Sequence, residues 1–179
     1  MHKDIFVFLK EHTTKAKRIV DLFMEATVKD SYEGIIGISG ISGTGKSEIA
    51  SEVNRMFYEI GISSFVINMD KYYLVNAEVR NTWRKKKKYI GHKEIDWIRL
   101  DEDIRKFSNN NIKVLIVEGL YSNYIDGAYK FYIDGNIEST DEFRLLRGKE
   151  IETDEWRQYV VGEEYADILS NIHCCNHTI

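Results

Sequence analysis

The segment Gly34–Ala50, GIIGISGISGTGKSEIA, constrains this chain more than any other. It opens with a short apolar run ending in glycines, as a buried parallel strand does. It continues into KSEIASEVNRMFYEIG, where Ile49, Val53, Met56, Phe57 and Ile60 recur at helical spacing up to the stop signal Gly61. Between strand and helix lies Gly40-Ile41-Ser42-Gly43-Thr44-Gly45-Lys46-Ser47. Glycines let the backbone turn tightly, so that successive amide N–H groups converge on phosphate oxygens. Lys46 adds a cation for the β- and γ-phosphates, Ser47 offers a hydroxyl to Mg²⁺, and the helix directs its positive end to the same point. Gly40, Ser42, Gly43, Thr44, Gly45, Lys46 and Ser47 are therefore the expected binding set for a nucleoside triphosphate with Mg²⁺. The loop names a ligand and leaves the reaction open.

The rest of the chain alternates in the same way. Residues 4 to about 29 carry Ile5, Phe8, Leu9, Ala16, Ile19, Val20, Phe23 and Met24 at helical spacing, predicting one or two N-terminal helices. SSFVINMD, VLIVEG and KFYIDG read as further strands, STDEFRLLRGKE and TDEWRQYVVGEEY as helices, and YADILSNI as a last strand. Ser139 and Glu142 fit a capping box for the first of those two helices. Strands alternating with helices imply a parallel sheet with right-handed crossovers. The expected fold is α/β: a three-layer P-loop sandwich with about five parallel strands, helices on both faces and an added N-terminal helix. One domain over residues 1–179 is expected, with a helical extension over 1–32.

Bulk properties narrow the partners. The formal net charge of −4 gives no global basicity for nucleic acid. No apolar run approaches the roughly 20 residues that span a bilayer, and the N-terminus lacks the pattern of a signal peptide. The two cysteines, Cys174 and Cys175, are adjacent, which suits reduced thiols in a cytoplasmic setting better than a disulfide framework. His173 and His177 flank them, so HCCNH is also a candidate metal cluster. The one dense charge block is Arg84–Lys88, either a solvated surface segment or the border of an acceptor pocket.

In open parallel sheets ligands gather beyond the carboxyl ends of the strands. The second strand ends NMDKYY and the third IVEG, which places Asp70 and Glu118 there. A carboxylate beside the γ-phosphate can take the proton of an attacking hydroxyl or hold the metal. Either acid could be the base.

The ordered segments GISGISGTGKS, MDKYY, GHKEIDW, VLIVEGLY, RLLRGKE and YADIL resemble the motifs of the uridine kinase and phosphoribulokinase group of P-loop kinases, over roughly residues 34–171. The resemblance implies that Asp70 activates the substrate hydroxyl near Mg²⁺ and that Tyr73 contacts the acceptor. It places His92 and Asp96 among acceptor-recognition residues and Glu118 near the metal with Ser47. It also implies a lid-like region over 139–157, carrying Arg144 and Arg147, that closes over the triphosphate, where planar guanidinium forks grip phosphate oxygens. Two features depart from the group. GHKEIDW has no proline, and DWIRLDEDIRKFSNNNIKVLIVEG runs almost directly into the third strand, so the acceptor site is expected to be reduced or rebuilt.

The expectation is thus an ATP- and Mg²⁺-dependent kinase acting on a hydroxyl of a nucleoside or other small alcohol. Lys46, Asp70, Arg144 and Arg147 carry the chemistry, and the N-terminal helix could serve as a contact with a second copy. The alternative is a nucleotide-binding regulatory or degenerate kinase-like protein, which should lack an acceptor pocket beside Asp70.

Overall fold

The structure is a computed structural model that describes residues 6–27, 33–86, 89–108, 110–135, 137–146 and 155–179. In chain order the helices are α1 (Lys10–Ala26), α2 (Lys46–Glu59), α3 (Ala77–Lys85), α4 (Trp97–Ser108), α5 (Ile137–Leu146) and α6 (Glu155–Ser170). The strands are β1 (Gly34–Ser39), β2 (Ser64–Asn68), β3 (Val114–Glu118), β4 (Tyr129–Tyr132) and β5 (His177–Thr178). They form one parallel sheet in the order β2-β3-β1-β4-β5.

The two-residue side-chain period of a strand divides the core between the sheet faces. Ile36 and Ile38 of β1 and Val114 and Ile116 of β3 join one cluster with α1 and α2. Leu115 and Val117 of β3 join the other, with Leu100 and Ile104 of α4 and Ile168 of α6. Every residue of β3 is buried, which accounts for VLIVE being apolar throughout where an exposed sheet face would force alternation.

Helix α1 packs along α2 with Ala16, Ile19, Val20 and Phe23, an i, i+3, i+4, i+7 stripe buried in the chain's own core. The N-terminal extension thus roofs one sheet face. The expected strand at YADILSNI is instead the end of α6, because Val160, Glu164 and Ile168 recur every four residues on its buried side. The fifth strand lies further on, at His177–Thr178, where the Tyr132 carbonyl of β4 accepts from Ile179 N–H at 2.9 Å. Helix α5 begins at Ile137, two residues ahead of the Ser139 expected to cap it. Among the described residues no helix is long and apolar enough to cross a membrane.

Candidate functional site

Three peptide segments converge beyond the carboxyl ends of β1, β2 and β3. The first is the glycine loop. Gly43 (φ +94) and Gly45 (φ +74) hold left-handed backbone that other residues avoid. A Cβ on Gly43 would also meet the Thr140 carbonyl at 2.7 Å, so α5 lies against the loop. Gly45 is the N-cap of α2, which leaves the first amides of that helix facing the loop. Lys46 Nζ donates to the Ile41 carbonyl at 2.7 Å, folding the lysine across the mouth of the loop.

The second and third segments are the strand ends. Asn68 closes β2, and its Oδ1 accepts from Asp70 N–H at 2.7 Å, turning the chain so that Asp70 faces the loop. Glu118, the last residue of β3, is buried, and its Oε1 accepts from Ser47 Oγ at 3.1 Å. Burial pushes its carboxyl up to about 7; Asp70 and Glu48 push in the same direction, while Lys46 and the Ser47 bond oppose. Ser42, Gly43, Gly45, Lys46, Ser47, Asp70 and Glu118 thus line one cavity of about 180 Å³, together with Phe6 of the N-terminal extension. One hydroxyl and two carboxylates are the hard oxygen donors that Mg²⁺ takes, and a carboxyl raised by burial is one that a cation would relieve. Ser47, Glu118 and Asp70 therefore fit the metal, and Lys46 with the loop amides fits a triphosphate.

A second cavity, about 380 Å³, adjoins the first. Ser42, Asp70 and Leu120 belong to both, so Asp70 stands where they join. Its further walls come from Lys71, Tyr73, Asn76, Arg80, Arg157 and Glu164. The Arg80 guanidinium lies 3.5 Å over the Tyr73 ring, a cation–π contact. Burial, with the Asp70 and Glu164 charges, holds the Tyr73 hydroxyl protonated well above the usual tyrosine range.

The expected acceptor residues separate here. Tyr73 lines the second cavity, whereas His92 and Asp96 line neither. Their backbone is close to the site: Leu74 N–H donates to the Glu94 carbonyl at 2.9 Å and Asp96 N–H to the Tyr72 carbonyl at 2.7 Å. Their side chains have other partners. His92 Nδ1 lies 3.0 Å from both oxygens of Asp167, and its ring stacks on Tyr124. Asp96 Oδ1 accepts from Arg99 N–H at 3.1 Å at the start of α4. The basic run is also divided. Arg84 is buried, with Nε donating to Glu94 at 2.8 Å and Nη2 donating to Glu94 and to Glu164 at 2.9 Å, so it ties α3 to α6. Lys87 and Lys88 lie outside the described residues.

Of the expected lid cations, Arg144 Nη1 donates to Ser42 Oγ at 3.0 Å, bringing α5 onto the loop. Arg147 and the rest of residues 147–154 lie outside the described residues. The C-terminal HCCNH segment is built into the sheet edge, with His177 Nε2 2.8 Å from the Tyr129 hydroxyl. Among the described residues no group of three His, Cys, Asp or Glu is placed to hold a metal.

Sequence reading missed four residues of the site. Arg80 lies in α3, for which the sequence reading offered no element, and Arg157 and Glu164 lie in α6, whose pattern does not report a cavity. His12 of α1 is buried against Gly45, where any Cβ would run into its imidazole, and it meets the Phe143 ring of α5 edge-on at 5.0 Å. Burial lowers its basicity. The N-terminal extension thus backs the phosphate loop and touches the helix that carries Arg144.

Strand, glycine loop and helix in a parallel sheet of this order define a P-loop NTPase fold. Comparison with solved structures agrees. The chain is similar to a protein assigned as a fructose transport system kinase from Silicibacter sp. TM1040, with a TM-score of 0.62 and 14% identity over 94% of this chain and 98% of that one. It is also similar to a protein assigned as a uridine kinase from Bacillus stearothermophilus, with a TM-score of 0.52 and 14% identity over 92% of this chain and 99% of that one. At that identity the likeness shows the fold, one that kinases use. No family model matches the sequence. No curated protein matches it either.

Proposed function

We propose that this chain is an ATP-dependent kinase that transfers the γ-phosphoryl group to a hydroxyl of a small molecule. The observation that carries this reading is the placement of Asp70 at the junction of two cavities, one built around the phosphate loop and one large enough for a small acceptor. A regulatory or degenerate nucleotide-binding protein has no use for the second compartment.

Lys46 and the loop amides hold the triphosphate and offset the charge that spreads over its oxygens. Ser47, Glu118 and Asp70 would hold Mg²⁺, which supplies further charge neutralisation at the β- and γ-phosphates. Asp70, at the junction, orients the acceptor hydroxyl and takes its proton. The hydroxyl oxygen bonds to the γ-phosphorus as the bond to the β–γ bridging oxygen breaks, and ADP leaves. Glu118 is assigned to the metal side because it is buried and engaged with Ser47. Arg144, already in contact with Ser42, is the described lid cation that can move onto the transferred group.

The test is ATP consumption with Mg²⁺ across a panel of nucleosides, sugars and sugar acids, for the natural protein and Asp70→Asn. Acceptor-dependent ADP formation that falls by 10²- to 10⁴-fold or so in Asp70→Asn, with nucleotide affinity retained, is expected. Nucleotide binding without acceptor-dependent turnover on any member sinks the kinase reading and favours the regulatory one.

A further inference from the structure

We infer that the acceptor carries an oxyanion, a phosphate or a carboxylate, gripped by Arg80 and Arg157 while its hydroxyl is presented to Asp70. This rests on the kinase reading for the role of Asp70, and on the lining of the second cavity for the rest.

Among the described residues the charged side chains around that cavity are Asp70, Lys71, Arg80, Arg157 and Glu164. Glu164 is committed elsewhere, since its Oε1 accepts from the buried Arg84 at 2.9 Å. Asp70 belongs equally to the loop cavity. Among the described residues three cations and two acids thus line the compartment, and one of the acids, Glu164, is paired with Arg84.

Position and geometry support the same conclusion. Arg80 lines the second cavity and not the loop cavity, whereas Arg157 lines the second cavity and also a small cleft with Ile41, Ser42 and Arg144 beside the loop. Arg80 stacks face-on over Tyr73, which uses the π face of the guanidinium and leaves its N–H edge in the plane, the edge that binds carboxylate or phosphate in two-point fashion. Tyr73 is itself fixed by an antiparallel bridge to Ile95. Asn76 caps α3, its Oδ1 accepting from Val79 N–H at 2.9 Å, and so sets the helix that carries Arg80. A neutral nucleoside or sugar offers no oxyanion to the Arg80 edge. A cavity of about 380 Å³ suits a molecule of sugar-phosphate or sugar-acid size.

The experiment uses matched probes: ribose against ribose 5-phosphate, glycerol against glycerol 3-phosphate, and glucose against gluconate. Binding is measured by calorimetry to protein saturated with Mg²⁺ and a non-hydrolysable ATP analogue, so that the loop is filled and the probes cannot occupy it. Transfer is measured separately with ATP. At least one anionic probe is expected to bind about 10-fold or more tighter than its neutral parent, phosphate and carboxylate arms reporting which oxyanion is preferred. Arg80→Met is expected to weaken that probe by about 10- to 100-fold, and Arg80→Lys by less, because charge survives and the fork does not. The affinity of each variant for the ATP analogue reports whether the loop is intact. If Arg80→Met fails this check, Arg80→Lys and Arg157→Gln carry the test. Anionic probes that bind no better than their neutral parents, or that bind Arg80 and Arg157 variants unchanged, overturn the inference. Equal kcat/KM on a neutral alcohol and its anionic partner overturns it while leaving the kinase reading in place. Arginine-dependent binding without transfer supports the oxyanion site and removes the kinase reading instead.

Discussion

Replacing Glu118 by Gln isolates the electrostatics of the site. The carboxyl sits at the end of β3, buried, with its affinity for a proton raised from 4.5 to about 7. Such a group binds more protons folded than unfolded, so its contribution to stability is present below the unfolded value and is lost as pH rises through the folded one. At ~1.4 kcal/mol per unit, the shift makes the natural protein lose about 3 kcal/mol relative to Glu118→Gln between pH 4.5 and pH 8, most of it between pH 5 and 7. Gln keeps the volume and an oxygen for the Ser47 hydroxyl, so cavity effects stay small. The assay is urea unfolding of both proteins at pH 5, 6, 7 and 8 in the presence of a chelator. The stability difference should move in favour of Glu118→Gln as pH rises and level off near pH 8. Adding Mg²⁺ with a non-hydrolysable ATP analogue should reverse it in the natural protein alone, because a bound cation favours the ionised carboxylate. A difference independent of pH, or a reversal shared by both proteins, refutes the assignment of Glu118 as a buried metal-side acid.

Four other substitutions follow from the geometry. Gly45→Ala places a Cβ in left-handed backbone and against His12; thermal melts should show a loss of about 1–3 kcal/mol together with weakened nucleotide binding. Arg84→Met leaves Glu94 and Glu164 without their buried cation, and denaturant unfolding at pH 7 should show a loss of about 3–5 kcal/mol. Arg144→Ala removes the contact with Ser42; acceptor-dependent kcat should fall by about 10-fold or more with nucleotide affinity changed far less. Lys46→Met should weaken ATP binding and lower kcat by about 10²-fold or more in the same coupled assay, since it removes the cation aimed at the triphosphate.

The donor half of the site was legible because it is local. A phosphate loop is one turn between one strand and one helix, and each requirement falls on a named residue within eight positions: left-handed backbone at Gly43 and Gly45, a cation at Lys46, a hydroxyl at Ser47. The strand-end acids were legible for a related reason, since a parallel sheet brings all its carboxyl ends to one edge and Asp70 and Glu118 close two apolar runs. The proposed acceptor half was not legible. Its walls include residues of α3 and α6, far apart in sequence; no helix was expected over 77–85, and Arg157 looks like an ordinary helix-surface cation until the two helices meet. The same holds for Arg84, whose place in a lysine-rich run left solvent or the border of an acceptor pocket open, and whose burial depends on Glu94 and Glu164 arriving from elsewhere.

Hydrophobic period and glycine chemistry therefore determined the layers, the parallel sheet and the phosphate loop, because strand burial and loop curvature are properties of neighbours in the chain. Tertiary packing alone decided that α6 continues through YADIL, that α1 sets His12 behind Gly45, and that His92 faces Asp167 and not the junction at Asp70. It also decided that two arginines share a cavity with Asp70. Those outcomes depend on which surfaces exclude water together, and no local pattern records that.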